Sequence, residues 1–189
     1  MLYYLVIYLG FLSVVASIFY LADFKFRPVI LFASSLGFIA FISWEVAIYA
    51  LLFSTINYFW GILIEKSRPN EVLRRKIFWT AIVLDLVFLS FFKYFILFKA
   101  GIDAFLSLFS ASSPWAVNGI IIPLGISYYT FQALGYIIRV NRGSDKPEPD
   151  YLKFVTFLIF FPKFFSGPVE RSNHFFPQLK SMGEFRKSN

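Results

Sequence analysis

Residues 29–64 carry one charged side chain, Glu45, in a run of 36. A helix crosses the hydrocarbon of a bilayer with about 20 apolar residues. This run is therefore long enough for two crossings, over 29–44 and 46–64, with Glu45 at a tight turn between them. Leu2–Leu21 is apolar or small throughout and spans about 30 Å as a helix. It has no basic region before it and more apolar residues than a signal-peptide core, so it reads as a retained span. Residues 77–92 form a fourth apolar stretch and 120–138 a fifth. Hydrophobic residues make up 58% of the chain, with 27 phenylalanines in 189 residues. A soluble domain of this size cannot hide that much apolar surface. The expected architecture is all-α and polytopic, with about five spans plus interfacial and re-entrant helices in one membrane domain over 1–189.

The polar segments divide the spans. Asp23, Lys25 and Arg27 follow the first, and Pro28 suits the first turn of the next helix. Residues 65–76 (EKSRPNEVLRRK) read as a loop with five basic and two acidic residues and its turn at Pro69-Asn70. Lys93, Lys99 and Asp103 recur too often for a clean span, and the aromatics between them suggest an interfacial helix. Residues 111–119 are a loop by their Ser, Pro, Asn and Gly content. Residues 151–161 are too few to cross and read as a short or re-entrant helix ending at Pro162. Five crossings put the basic loops on one side. The positive-inside rule then places the N-terminus outside and the basic tail in the cytoplasm. Lys93 and Lys99 run against that order and are expected to snorkel. The net charge of +7 marks loops facing anionic lipid, since the basic residues do not form one stripe for nucleic acid.

Few residues offer chemistry. There is no cysteine and one histidine, His174, so thiolate chemistry and a multi-histidine metal site are excluded within this chain. His174 lies in a polar stretch and reads as a solvated loop residue. In the fifth span, Gly125, Tyr128, Gln132, Gly135, Tyr136 and Arg139 recur at spacings of three and four and share one helical face. Such a stripe either lines a polar path or packs one helix against another. Lys163, set among apolar residues in FFPKFFSGPVER, either holds a phosphate or carboxylate or anchors at the interface. Asn57 and Asp85 lie inside spans. Asp85 is a functional candidate by its depth, or else is neutral or paired with a lysine of a neighbouring span. Asn57, Asp85 and Gln132 are expected to need partners from beyond residue 189, without which they would face lipid.

The segments IPLGISYYTFQALGYIIRVNRG, FLIFFPKFFSGPVER and HFFPQL, with the earlier NYFWGILIEK and SFFKYFILF, resemble the membrane-bound O-acyltransferase (MBOAT) family. The similar branch is the bacterial one that includes alginate O-acetyltransferases and teichoic-acid D-alanine transferases. Gly125, Gln132, Arg142, Gly167, Pro168 and Arg171 match its pattern. Arg139-Val140-Asn141-Arg142 departs from it, because that branch usually has an acid where Arg139 stands and a tyrosine where Asn141 stands. The resemblance implies the N-terminal portion of a longer MBOAT fold, completed by a C-terminal remainder. It also implies acyl transfer from a cytoplasmic thioester, on coenzyme A or an acyl carrier protein, to a hydroxyl of an extracytoplasmic polymer or acyltransferase partner. No bound cofactor is implied. Tyr128, Gln132, Tyr136, Lys163, Gly167, Pro168 and Arg171 become candidates for a substrate tunnel, and Asn57, Asp85 and Arg142 for pairing. The family's histidine base lies further downstream than His174, so the chain alone is expected to be inactive. The competing expectation is a non-catalytic membrane module of a transport or export complex.

Overall fold

A computed structural model describes residues 2–107, 125–164 and 172–181. Among them there are seven α-helices and no strand: α1 (Leu2–Leu21), α2 (Arg27–Ile42), α3 (Trp44–Lys66), α4 (Glu71–Ser107), α5 (Ile126–Arg142), α6 (Tyr151–Ile159) and α7 (Ser172–Ser181). Short 3-10 turns lie at Phe24–Phe26 and Phe161–Phe164. Three helical stretches are long and apolar enough to cross a membrane, Phe24–Ile42, Trp44–Lys66 and Glu71–Tyr94. The chain is an all-α membrane protein.

Local chemistry sets the helix ends. Pro28 sits in the first turn of α2, where its missing N–H is not needed. The break before α3 is one extended residue, Ser43. Its hydroxyl oxygen accepts from the Val46 N–H at 3.3 Å and donates to the Glu45 carboxylate at 2.6 Å. Glu45 thus belongs to the first turn of α3, where a negative charge suits the helix dipole. Asn70 caps α4 by accepting from the Leu73 N–H at 3.0 Å. Two expectations are corrected here. The loop over 65–76 is shorter, because α3 runs to Lys66 and α4 begins at Glu71. Lys93 also does not start a separate helix, since α4 continues unbroken for 37 residues. Lys93 is exposed, with its ammonium 5.7 Å from the Tyr94 ring centre, so its charge never has to enter the core.

α3 and α5 form the centre. α3 packs on α2, α4, α5 and α6, and α5 packs on α3, α4 and α6. The main core joins Phe53 and Ile64 of α3, Tyr129, Tyr136 and Ile137 of α5, and Phe154 and Phe157 of α6. A second cluster sets Tyr8 of α1 and Phe38 of α2 around Phe161. The short helix α6 is buried on most sides: every residue from Phe154 to Ile159 is buried. The central pair meets tightly at Gly61. A Cβ there would lie 2.6 Å from the Tyr136 hydroxyl oxygen and 2.8 Å from a carbon of its ring.

Gly61→Ala is expected to push Tyr136 aside and destabilise the protein by about 1–3 kcal/mol, read as a lower unfolding midpoint in detergent. Tyr136→Phe in the same chain removes the nearest atom but leaves the ring, so it is expected to restore only part of the loss. Additive effects in this double-mutant cycle would show that the two residues do not meet.

Candidate functional site

α5 is the only helix in the described residues bounded at both ends by glycines of positive φ, Gly125 (φ 75°) and Gly143 (φ 78°). Both lie in the left-handed region, where a side chain is strained. At Gly143 the turn stops the helix, with the Gly143 N–H donating to the Val140 carbonyl at 3.1 Å and the Ser144 N–H to the Arg139 carbonyl at 3.0 Å.

Gln132 and Tyr136 of the expected stripe are buried, and Tyr128 is half-buried. The Gln132 side-chain amide donates to the Phe157 carbonyl at 2.8 Å. α6 ends at Ile159, so that carbonyl is among the last four of its helix and has no partner within it. Gln132 Oε1 has no hydrogen-bond partner among the described residues. Tyr136 packs its ring on Phe154, centroids 4.8 Å apart, above Gly61. Tyr129 joins them: it is 1% exposed, its ring lies against Phe53 at 5.4 Å, and its hydroxyl has no partner among the described residues. Tyr129 lies four residues after Gly125, three before Gln132 and seven before Tyr136, so it meets the same spacing and the stripe as read from the sequence passed over it. A stripe defines a buried face only when a helix is covered on one side, and α5 is covered on three. Two faces of α5 thus carry a buried polar atom without a partner among the described residues: Gln132 Oε1 toward α6, and the hydroxyl of Tyr129, whose ring meets Phe53 of α3.

Asn57 and Asp85 pair with each other across α3 and α4. The Asn57 amide donates to Asp85 Oδ1 at 3.1 Å and to the Phe53 carbonyl at 3.2 Å. Both residues are buried, as is Gln132. The expectation that these three side chains face lipid is thus overturned: each has a partner within this chain. The partner of Asp85 is an amide and not a lysine.

A charged latch closes the basic end of α5. The Arg139 guanidinium meets Asp145 with both arms, Nε to Oδ2 at 2.9 Å and Nη2 to Oδ1 at 3.1 Å. The Ser172 hydroxyl, at the start of α7, donates to the same Oδ2 at 2.6 Å. The basic residue at 139 thus finds its acid six residues later, across the Gly143 turn. Arg68 approaches from the α3–α4 turn: its Nη2 donates to the Val140 carbonyl at 3.0 Å and its Nε pairs with Glu65. Burial by itself would raise the Asp145 pKa. The hydrogen bonds from Arg139 and Ser172, with the Arg139 charge, outweigh that and hold it below the ordinary carboxylate value.

Arg142 is exposed and makes no ion pair among the described residues. His174 lies on α7, not in a loop, and is exposed. Gly167, Pro168 and Arg171 lie outside the described residues. So does the side chain of Lys163, whose backbone is in the Phe161–Phe164 turn. Among the described residues no group of three acidic or histidine side chains is placed to hold a metal ion.

These features define a polytopic helical protein whose short, deeply placed helices are tied to long spans through side chains. No family profile matches the chain, and no solved structure matches it. Curated proteins do. A probable alginate O-acetylase, AlgI, of Pseudomonas aeruginosa is 31% identical over 166 residues, covering 85% of this chain and 31% of that protein. A peptidoglycan O-acetyltransferase of Helicobacter pylori is 26% identical over 175 residues, 78% of this chain. A teichoic acid D-alanyltransferase of Lacticaseibacillus rhamnosus is 46% identical over 52 residues, 28% of this chain. The chain belongs to the MBOAT family. It spans about a third of the length of the alginate and peptidoglycan relatives.

The lowered Asp145 pKa carries a pH prediction. A carboxylate with a depressed folded-state pKa contributes its stability in full above the ordinary value, about 3.9. The contribution is lost as pH falls through the lowered value. Acid titration of thermal stability in detergent is expected to show this loss, and Asp145→Asn to flatten it while lowering stability at neutral pH. An unchanged acid limb in the variant would remove the latch from the account.

Proposed function

We propose that this chain forms part of an O-acyltransferase of the bacterial cell envelope, and that α5 and α6 supply one wall of the path the acyl group follows. In this reading the donor is a cytoplasmic thioester, on coenzyme A or an acyl carrier protein. The acceptor is a hydroxyl of an extracytoplasmic polysaccharide or other envelope polymer, and the acyl group is most simply acetyl. The names of the relatives support the class of reaction: acetyl transfer to alginate and to peptidoglycan, and D-alanyl transfer to teichoic acid.

The observation that carries the reading is the buried polar side of α5. Gln132 Oε1 and the Tyr129 hydroxyl have no partner among the described residues. A buried polar atom without a partner costs about 1–3 kcal/mol. Two of them three residues apart on α5 suit a path that carries a polar thioester or ester past that helix. Transfer itself requires a base to take the hydroxyl proton as the oxygen attacks the thioester carbonyl. The carbon–sulfur bond then breaks, the thiol leaves and the ester forms. His174, the single histidine, is exposed on α7, which suits it poorly to a buried base. In this proposal the base lies outside these 189 residues, and the chain alone does not turn over.

Two measurements test this. A photoreactive acyl thioester is expected to label α5 or α6 in the membrane-embedded chain, with unlabelled thioester competing and Gln132→Leu weakening the labelling. Labelling that is absent, or not competed, would sink the wall assignment. Incubation with radiolabelled acetyl thioester and polymer is expected to give no transfer above background, and clear turnover would place the base within this chain.

A further inference from the structure

The outer face of α4 has a regular composition that the acyl path does not use. Its inward positions Ala81, Asp85, Leu89 and Phe92 are buried. The opposite stripe runs Val72, Arg75, Lys76, Trp79, Val83 and Val87, at steps of three and four residues along one face, with 75 and 76 sharing a level. Val72 is 67% exposed, Trp79 53%, Val83 52% and Val87 57%, and Arg75 and Lys76 are exposed between them. Arg74 approaches Glu71 at 3.8 Å, while neither Arg75 nor Lys76 makes an ion pair among the described residues.

This stripe begins at the basic end of the bundle. The α1–α2 junction with Lys25 and Arg27 and the α3–α4 turn with Lys66 share that end, because α2 and α3 reverse direction at Ser43. The end of α5 joins them through the Arg68–Val140 hydrogen bond. From Lys76 to Val87 a helix rises about 16 Å, roughly half of a ~30 Å hydrocarbon core. The stripe therefore presents two cations, then an aromatic ring one turn deeper, then about one leaflet of aliphatic side chain. That order matches a phospholipid from phosphate through glycerol to acyl chain, with the tryptophan at the level where such rings sit. A soluble phosphate would need only the cations. A packed helix would leave two charges facing it without partners.

We propose that this face of α4 holds an anionic phospholipid, with its phosphate at Arg75 and Lys76 and an acyl chain along Val83 and Val87. The site lies at the rim of the fold and orients α4, and with it the Asp85–Asn57 pair, relative to the membrane surface.

The test uses the whole chain in nanodiscs. Phosphatidylglycerol or phosphatidylcholine with brominated acyl chains is added at the same low fraction, and the Trp79 signal is the fluorescence difference from Trp79→Phe. Brominated phosphatidylglycerol is expected to quench Trp79 with an apparent preference on the order of tenfold at low salt, the scale set by two basic residues near the surface. Arg75→Gln with Lys76→Gln is expected to abolish the preference and Lys146→Gln to leave it unchanged. All four side chains are exposed, and far-ultraviolet circular dichroism checks that helicity is constant. Equal quenching by the two lipids, or a preference that survives the double variant, would overturn the proposal. Quenching by neither lipid would assign the face to another helix, and displacement by inorganic phosphate beyond that of sodium chloride at equal ionic strength would assign the cations to a soluble anion.

Discussion

A helix that stops inside a membrane leaves its last carbonyls and the next segment's N–H groups without partners, and no water is there to take them. The segment from residue 157 to 162 is arranged around that constraint, and the polar stretch before it is tied in the same way. The Phe157 carbonyl near the end of α6 takes the Gln132 amide. The Phe161 N–H donates to the Ser35 hydroxyl oxygen at 3.3 Å, and the Pro162 carbonyl accepts from the Tyr8 hydroxyl at 3.2 Å. The Val140 carbonyl takes Arg68, and the Pro149 carbonyl takes the Tyr58 hydroxyl at 2.8 Å. The donors and acceptors come from α1, α2, α3, α5 and the α3–α4 turn, so the short elements are held by the long ones through single polar side chains.

This arrangement explains why α5 is central although it is neither the longest nor the most apolar helix. Its Gln132 secures α6, its Tyr136 fills the gap left by Gly61, and its basic end is tied by Asp145 to the start of α7. Apolar packing joins these helices, with Phe53, Tyr129, Phe154 and Phe157 in one shared cluster. Yet packing alone does not fix where a short helix ends or which way it points. The hydrogen bonds do, because each has one geometry that satisfies it. The proposed acyl path and the proposed lipid face use opposite consequences of the same design. One is a buried polar surface left partly unsatisfied, and the other an exposed surface graded from charge to hydrocarbon.

Much of this was legible in the sequence. The single charge in residues 29–64 implied a tight turn near Glu45, and the break falls at Ser43, two residues earlier. Pro28 marked a helix start for a local steric reason, while Asn70, read only as a turn residue, caps α4. Helical spacing brought Gln132 and Tyr136 to attention because side-chain direction follows directly from residue number in a helix. Counting charges failed at Lys93. Whether a lysine interrupts a span depends on which face it occupies, and that is set by the neighbours of α4.

The sequence by itself determined that the chain is helical, that lipid is its solvent and that polarity concentrates after residue 120. These follow from side-chain hydrophobicity and periodicity, which are local properties. The tertiary structure alone decided the partners: Asn57 for Asp85, Asp145 for Arg139, and the backbone of Phe157 for Gln132. Two of these three close across different helices, and one ends on a carbonyl that every residue possesses. No pattern of side chains announces such an acceptor, and only the place where α6 stops creates it.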